Sequence, residues 1–302
     1  MARAPRSLQG KVVAVTGGAR GIGRATATAL ARKGARVAIG DVDADAARET
    51  AAEIGSGVLA FELDVTDRES FAAFLDSVES EAGPLDVMIN NAGILHLGPF
   101  AEEDEASQAR QVDINLNGPM RGTKLALERM VPRGRGHIVN MASSAGKLTP
   151  PGIATYTATK HGVVGFTEAV RWEQRGSGID FSIVMPAVVR TEMIAGYKAA
   201  RGVQDIGPED VAAAIVDALE HPRLEVWVPK PLGGLWKLLV ILPRGLREGL
   251  LRAMKVDQVT WKADRSARAD YEGRAAASEP RRSPASTAAR LPEEDREPVE
   301  PS

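Results

Sequence analysis

Short apolar runs alternate with Ala-rich, helically spaced stretches from residue 11 to residue 228, and this alternation limits the chain's folds more than any other feature. Lys11 to Val15 is a β-branched run that stops at a glycine cluster, as a buried parallel strand does. Ile22 to Lys33 follows at helical spacing. Arg36–Gly40, Leu59–Leu63, Val87–Asn90, Gly136–Met141, Phe181–Met185 and Glu225–Val228 read as further strands. Between them Ala44–Ile54, Arg68–Glu81, roughly 104–130, roughly 156–174 and Pro208–Glu220 read as helices, the last with proline in its first turn. Parallel strands need helical crossovers, so the pattern predicts an α/β fold: one doubly wound, mostly parallel sheet flanked by helices.

Composition removes several function classes. The formal net charge is −2, unlike the strongly basic domains of general nucleic-acid binders, so no nucleic-acid partner is expected. The chain has no cysteine, which excludes disulfides, thiolate nucleophiles and Cys-based metal centres. His96, His137, His161 and His221 are scattered and form no metal-binding pair, so no metal is expected. No apolar run approaches the roughly 20 residues that span a bilayer. Arg3 and Arg6 precede only the short run Val12–Val15, too little for a secretory leader, and the chain is read as unexported and cytoplasmic.

The C-terminal part departs from the alternation. Residues 230–256 hold an unbroken apolar run, Leu238–Leu242, then Pro243 and a second helical pattern at Leu246, Leu250 and Met254. Lys230, Lys237, Arg244, Arg247, Arg252 and Lys255 face one acid, Glu248. Three readings stand: a cover for a substrate pocket, a subunit interface, or peripheral contact with an anionic membrane, although Pro243 breaks any single long amphipathic helix. Packing on the protein's own body is the plain alternative. Residues 273–302, rich in Pro, Ala, Ser and charge, read as a disordered tail. The expected division is a domain over 1–228, a helical extension over 229–272, and that tail.

Thr16-Gly17-Gly18-Ala19-Arg20-Gly21-Ile22-Gly23 lies between the first strand and the first helix. Side chains there would block approach of backbone N–H groups to a pyrophosphate, and the helix N-terminus adds positive potential. The loop alone fits a tight turn equally, but its strand–loop–helix setting favours a dinucleotide. Asp41, at the end of the second strand, is placed to accept hydrogen bonds from an adenosine ribose and to repel a 2′-phosphate, which favours NAD. Arg20 could instead meet a 2′-phosphate, which keeps NADP open. The plain alternatives are a solvated turn for Arg20 and a helix cap for Asp41 with Asp43.

Tyr156 and Lys160 stand four apart, on one face of a helix. A free phenol, with a pKa of about 10, is a poor acid–base group at neutral pH, and a nearby ammonium would lower that value. An ordinary surface pair has the same spacing.

Taken together, these segments resemble the short-chain dehydrogenase/reductase family. The resemblance is carried by residues 16–23, Asp64-Val65, Asn90-Asn91-Ala92-Gly93, Asn115, Ser143 thirteen residues before Tyr156, the Tyr156/Lys160 pair, and Pro186 with Thr191. It covers roughly residues 8–228 and implies a Rossmann-type domain. Where the family has Pro-Gly, this chain has Pro186-Ala187. The resemblance implies that Tyr156 is the general acid or base, that Lys160 lowers its pKa and binds the nicotinamide ribose, and that Ser143 polarises the substrate oxygen. It also implies that Asn115 holds a relay water. Gly17, Arg20, Gly21, Ile22, Gly23, Asp41, Asp64, Val65, Asn91, Ala92, Gly93, Pro186 and Thr191 would line the cofactor. The simpler roles are a polar strand end for Ser143 and a helix kink with a satisfied amide for Asn115.

The function expected is hydride transfer between a nicotinamide and a lipophilic secondary alcohol or ketone. Rivals are an NADPH-dependent carbonyl reductase and a non-catalytic dinucleotide-binding sensor or scaffold. Residues 187–206 fall where the family carries its substrate lid, with Met193, Ile194 and Tyr197 facing substrate or simply packing. Leu148, Pro150, Pro151 and Ile153 suggest an apolar wall. His96 and His161 read as loop and helix-packing residues. A homodimer or homotetramer is expected, built on the helices that hold Asn115 and Tyr156.

Overall fold

The computed structural model describes residues 4–194, 206–253 and 271–273. Tyr197, Met254, Lys255 and the acidic tail after Gly273 lie outside the described residues.

Seven parallel strands form one sheet in the order β3-β2-β1-β4-β5-β6-β7. They are β1 (Val12–Thr16), β2 (Arg36–Asp41), β3 (Leu59–Glu62), β4 (Val87–Asn90), β5 (Gly136–Met141), β6 (Ile179–Pro186) and β7 (Glu225–Val228). The central strands β1 and β4 are buried along their whole length, which is why they read as apolar runs without alternation. The helices are α1 (Gly21–Arg32), α2 (Ala44–Ile54), α3 (Arg68–Ala82), α4 (Glu105–Val112), α5 (Gly118–Met130), α6 (Ala154–Glu173), α7 (Pro208–Glu220), α8 (Pro231–Ile241) and α9 (Arg244–Ala253).

Strand order reverses between β1 and β4, and ligands of open α/β sheets bind in the crevice beyond the strand ends at such a point. Two cores fix that crevice. One face of the sheet buries Val13, Val15 and Ile39 with Leu30 of α1 and Ile215 of α7. The other buries Ala14, Met88 and Ile138 with Phe71 and Leu75 of α3 and Ala126 of α5.

One expected element is divided. The helical pattern over 104–130 runs as α4, a π-helical turn at Asp113–Asn117, then α5. Asn115, fully buried in the wide turn, donates from Nδ2 to the Ile94 carbonyl (2.8 Å) and accepts from the Ile94 N–H (2.8 Å). Such turns widen a helix locally and recur at functional sites. Beyond β7, α8 packs its inner face on the body. Leu239 is buried, Leu232 and Trp236 lie against the core around Trp227, and Lys230 pairs with Asp217 (3.4 Å). Its outer face does not pack: Leu238 is 57% and Ile241 75% exposed, and Leu246 of α9 is 65% exposed.

Candidate active site

A cleft of about 660 Å³ opens at the strand-order reversal. One end is the loop from β1 to α1. Gly17 has φ +65°, and a Cβ there would come within 2.9 Å of the Ala92 Cα. A Cβ on Gly23 would overlap the Gly17 carbonyl oxygen and come within 2.8 Å of Asn91 Nδ2. The chain therefore passes close to itself, and α1 begins at Gly21 with no side-chain cap on its first turn. Those N–H groups carry the positive end of the helix dipole, in a setting where glycine leaves room for a diphosphate. Ile22, also in that first turn, lines the cleft, as do Arg20 and Gly21.

Asp41 ends β2 beside this loop. Its Oδ2 accepts from Ala19 N–H (3.0 Å) and its Oδ1 from Asp43 N–H (3.2 Å). Burial pushes its carboxyl pKa up, against those two N–H groups and Arg20, which favour the charged form. Asp43, not Asp41, caps α2, accepting from Ala46 N–H (3.1 Å). Arg20 reaches across to Asp43 (2.8 Å), so its guanidinium is already paired with a carboxylate of this chain.

Asp64, Val65, Asn91, Ala92 and Gly93 also line the cleft. Asp64 Oδ1 accepts from the Thr66 hydroxyl (2.7 Å) and N–H (2.8 Å). Asn91 acts as a brace: its Nδ2 donates to the carbonyls of Thr16 (2.9 Å) and Gly17 (3.0 Å). The far wall is Pro186, at the end of β6, and Thr191, whose methyl group sits 3.4 Å from where a Gly21 Cβ would lie. Ala187, in place of the family's glycine, keeps the turn joined to the sheet through its N–H on the Val228 carbonyl (2.8 Å).

At the floor, Tyr156 and Lys160 of α6 are both buried. The Ser143 hydroxyl follows β5, accepts from Ala145 N–H (3.1 Å) and lies near enough to the Tyr156 phenol to favour its charged form. Lys160 Nζ donates to the Met141 carbonyl (2.8 Å) and lies 5.5 Å from the Tyr156 ring centre. The surface-pair alternative is thereby excluded. The electrostatics differ from expectation in one respect. Burial, against the influence of Ser143 and with a smaller push from Tyr271, takes the Tyr156 phenol up to about 12. Burial also brings the Lys160 ammonium down to about 8. With neither group hydrated, the neutral forms gain, and the ammonium's pull on the phenol does not overcome desolvation. Asn115 lies beside Lys160: a Cβ on Gly93 would touch Asn115 Oδ1 at 3.2 Å and Lys160 Nζ at 3.7 Å. Its side-chain amide is satisfied by Ile94, as the kink reading expected.

Leu95, Leu97, Ala145 and Ile153 form an apolar cluster around Tyr156, with Met193 packed against it. Of the suggested lid, Met193 and Ile194 line the cleft. Sequence reasoning missed Tyr271, which also lines the cleft and whose hydroxyl accepts from Leu95 N–H (2.9 Å). No spacing signal linked it to the site. Among the histidines, His161 bonds within α6 to the Thr157 carbonyl (3.0 Å). His137 is buried on Ser182 (2.9 Å), where burial pushes its pKa down to about 4.

A family model for short chain dehydrogenase matches residues 11–202. The chain belongs to the short-chain dehydrogenase/reductase family. Sorbitol dehydrogenase of Cereibacter sphaeroides is 40% identical over 186 residues, 61% of this chain and 73% of that protein. A short chain dehydrogenase/reductase from Burkholderia phymatum, solved in complex with NAD, superposes with a TM-score of 0.71 at 26% identity, covering 77% of this chain and 94% of that one. Glycine betaine reductase ATRR of Emericella nidulans is 35% identical over 228 residues, 72% of this chain but only 18% of that protein. Family membership makes this chain an NAD(P)-dependent oxidoreductase of CH–OH groups with a Rossmann-type fold.

Proposed function

We propose that residues 1–228 form a catalytic domain that transfers a hydride between a nicotinamide dinucleotide and a lipophilic secondary alcohol or ketone, with NAD preferred. The observation that carries this reading is the buried Tyr156–Lys160 pair, with half-buried Ser143 beside it, at the floor of a cleft that opens at its other end onto α1 and Asp41. The bound dinucleotide supplies the hydride acceptor or donor.

The protein's own groups handle the proton and the positioning. With its phenol pushed up to about 12, Tyr156 holds its proton at neutral pH and donates it to a carbonyl oxygen during reduction. That donation leaves a phenolate, which the Lys160 ammonium favours, and in the reverse direction the phenolate receives the alcohol proton and returns to the neutral phenol. The Ser143 hydroxyl holds the substrate oxygen beside the phenol. Asn115 fixes the Ile94 backbone with its side chain, so a relay water to Lys160 would be held by the main chain of the π turn. Gly17, Gly21, Ile22 and Gly23 receive the pyrophosphate, and Asp41 receives the adenosine ribose. Asp64 and Val65 border the adenine. Asn91 serves by bracing the loop, Ala92 and Gly93 pass beneath the cofactor, and Pro186 and Thr191 bound the nicotinamide end.

Preference for NAD follows from charge. Asp41 stands where a 2′-phosphate would be repelled, and Arg20, the group that could attract one, is held by Asp43. The apolar cluster around Tyr156 supports a lipophilic substrate. Likeness to a sorbitol dehydrogenase favours a second reading, a polyol substrate. A spectroscopic screen of secondary alkanols, cyclic alcohols and polyols with NAD and NADP in parallel separates these. Fastest turnover of apolar alcohols with NAD supports the proposal, and turnover of polyols alone replaces it.

Two assembly features belong to the same reading. Val112, Met120 and Trp172 are exposed on the helices flanking Asn115 and Tyr156, which suits a homo-oligomer built on α4–α6. The exposed Leu238, Ile241 and Leu246, among basic residues of 230–256, suit peripheral contact with an anionic membrane.

A further inference from the structure

Ile94 and Leu95 continue the cofactor loop that follows β4, and two distant parts of the chain hold them. Asn115 of the π turn takes both the N–H and the carbonyl of Ile94. The hydroxyl of Tyr271 takes the N–H of the next residue, Leu95, at 2.9 Å. Leu95 is itself buried in the apolar cluster that surrounds Tyr156. Tyr271 thus enters the reacting end of the cleft from beyond the catalytic domain, alongside Tyr156, Met193 and Ile194. The Tyr156 phenol responds to charge on Tyr271, which places the two rings in one electrostatic neighbourhood.

A tyrosine suits this place because its two ends differ. The hydroxyl needs a polar partner when removed from water, and the ring offers a flat apolar face of high contact area and few torsions. With the hydroxyl fixed on a backbone N–H, the ring becomes a wall, not a loose side chain. The wall adjoins Leu95 and so the apolar cluster around Tyr156.

We propose that Tyr271 is a substrate-specificity residue, its ring forming the outer wall of the reacting pocket and contacting the apolar part of an alcohol or ketone. This rests on the oxidoreductase reading and extends it: specificity for the size of the substrate's apolar arm is supplied by the C-terminal extension. Tyr271 transfers no proton in this scheme and positions substrate only.

The test compares the full-length chain with Tyr271→Ala and Tyr271→Phe. Michaelis constants are measured for 2-alkanols of increasing length at saturating NAD. Calorimetric affinities of the NAD-loaded protein for the longest ketone of the same series, a pair that cannot react, are measured in parallel. Expected for Tyr271→Ala are a KM and a Kd for the longest compounds raised about tenfold, with the shortest alcohol little changed. Its kcat should stay within about threefold and NADH affinity should be unaltered. Tyr271→Phe keeps the ring but loses its anchor on Leu95 N–H, so its KM and Kd for the longest compounds should fall between those of the unaltered protein and Tyr271→Ala. An unchanged Kd and an unchanged length profile in Tyr271→Ala overturn the inference, as does a faster reaction with every alcohol, which would make the ring an obstruction. Tyr271-dependent ketone binding without turnover overturns the oxidoreductase reading but keeps the wall. Absence of ketone binding to the unaltered protein overturns both.

Discussion

The ionisation of Tyr156 can be isolated by removing its hydroxyl. Burial raises the phenol from 10.0 to about 12, and two units correspond to about 3 kcal/mol between the charged and neutral forms. The sign follows from proton counting. Between about pH 10 and pH 12 the unfolded chain has lost the Tyr156 proton and the folded chain has kept it, so stability falls as pH rises. The loss reaches about 1.4 kcal/mol by about pH 11 and is complete only above the folded pKa. In Tyr156→Phe this slope is absent. The variant also loses the phenol hydroxyl's contact with its surroundings, but that offset is the same at every pH in the window, so the difference in slope isolates the ionisation. The assay is urea unfolding of both proteins at several alkaline pH values, paired with tyrosinate difference absorbance. The chain has three tyrosines, so the signal is sparse enough to assign. Parallel stability profiles, or a tyrosinate that forms below about pH 10 and vanishes in Tyr156→Phe, would refute the reasoning.

Three further outcomes follow from the geometry. Gly23→Ala forces a methyl against the Gly17 carbonyl and Asn91, so unfolding stability should fall by about 1–3 kcal/mol and NADH affinity, read by fluorescence, by about 100-fold or more. Wild-type NADH affinity in this variant would show that the loop does not hold the diphosphate. Asp41→Ala removes a charge whose repulsion at about 5 Å is worth about 3 kcal/mol before solvent screening, so the NADH/NADPH affinity ratio should drop about 10–100-fold. An unaltered ratio would assign cofactor choice elsewhere. Replacing Leu238, Ile241 and Leu246 by serine should abolish sedimentation with anionic vesicles and leave turnover of a water-soluble alcohol intact. Equal vesicle binding by both forms removes the membrane contact.

The sheet and most crossover helices were legible because periodicity reports burial directly. β1 reads as an unbroken apolar run since both its faces are covered, and α2, α7, β4, β5 and β7 begin and end where the residues suggest. The π turn was hidden. Helical spacing runs on across residues 104–130, and only a buried amide at Asn115 followed by Gly118-Pro119 hints at the break. Within the candidate site, residue types and order pointed to Ser143, Tyr156 and Lys160, which the fold brings together. Partnerships between distant side chains were not legible. Arg20 is paired with Asp43, and Asn91 braces the glycine loop, because strands β2 and β4 happen to end beside it. The opposed shifts of Tyr156 and Lys160 come from depth of burial, which no local spacing reports. Tyr271 carried no spacing signal, and only the contact of its hydroxyl with Leu95 N–H ties it to the site.

The most direct test is the rate of NADH formation from secondary alcohols by the unaltered protein and by Tyr156→Phe, with NADH affinity measured on the same samples. A proton-transfer role for Tyr156 requires that kcat fall by about 10²–10⁴-fold while the dissociation constant for NADH stays within about threefold. A variant that keeps most of its turnover, with NADH bound as before, would contradict the assignment of Tyr156 and with it the chemistry proposed for this cleft.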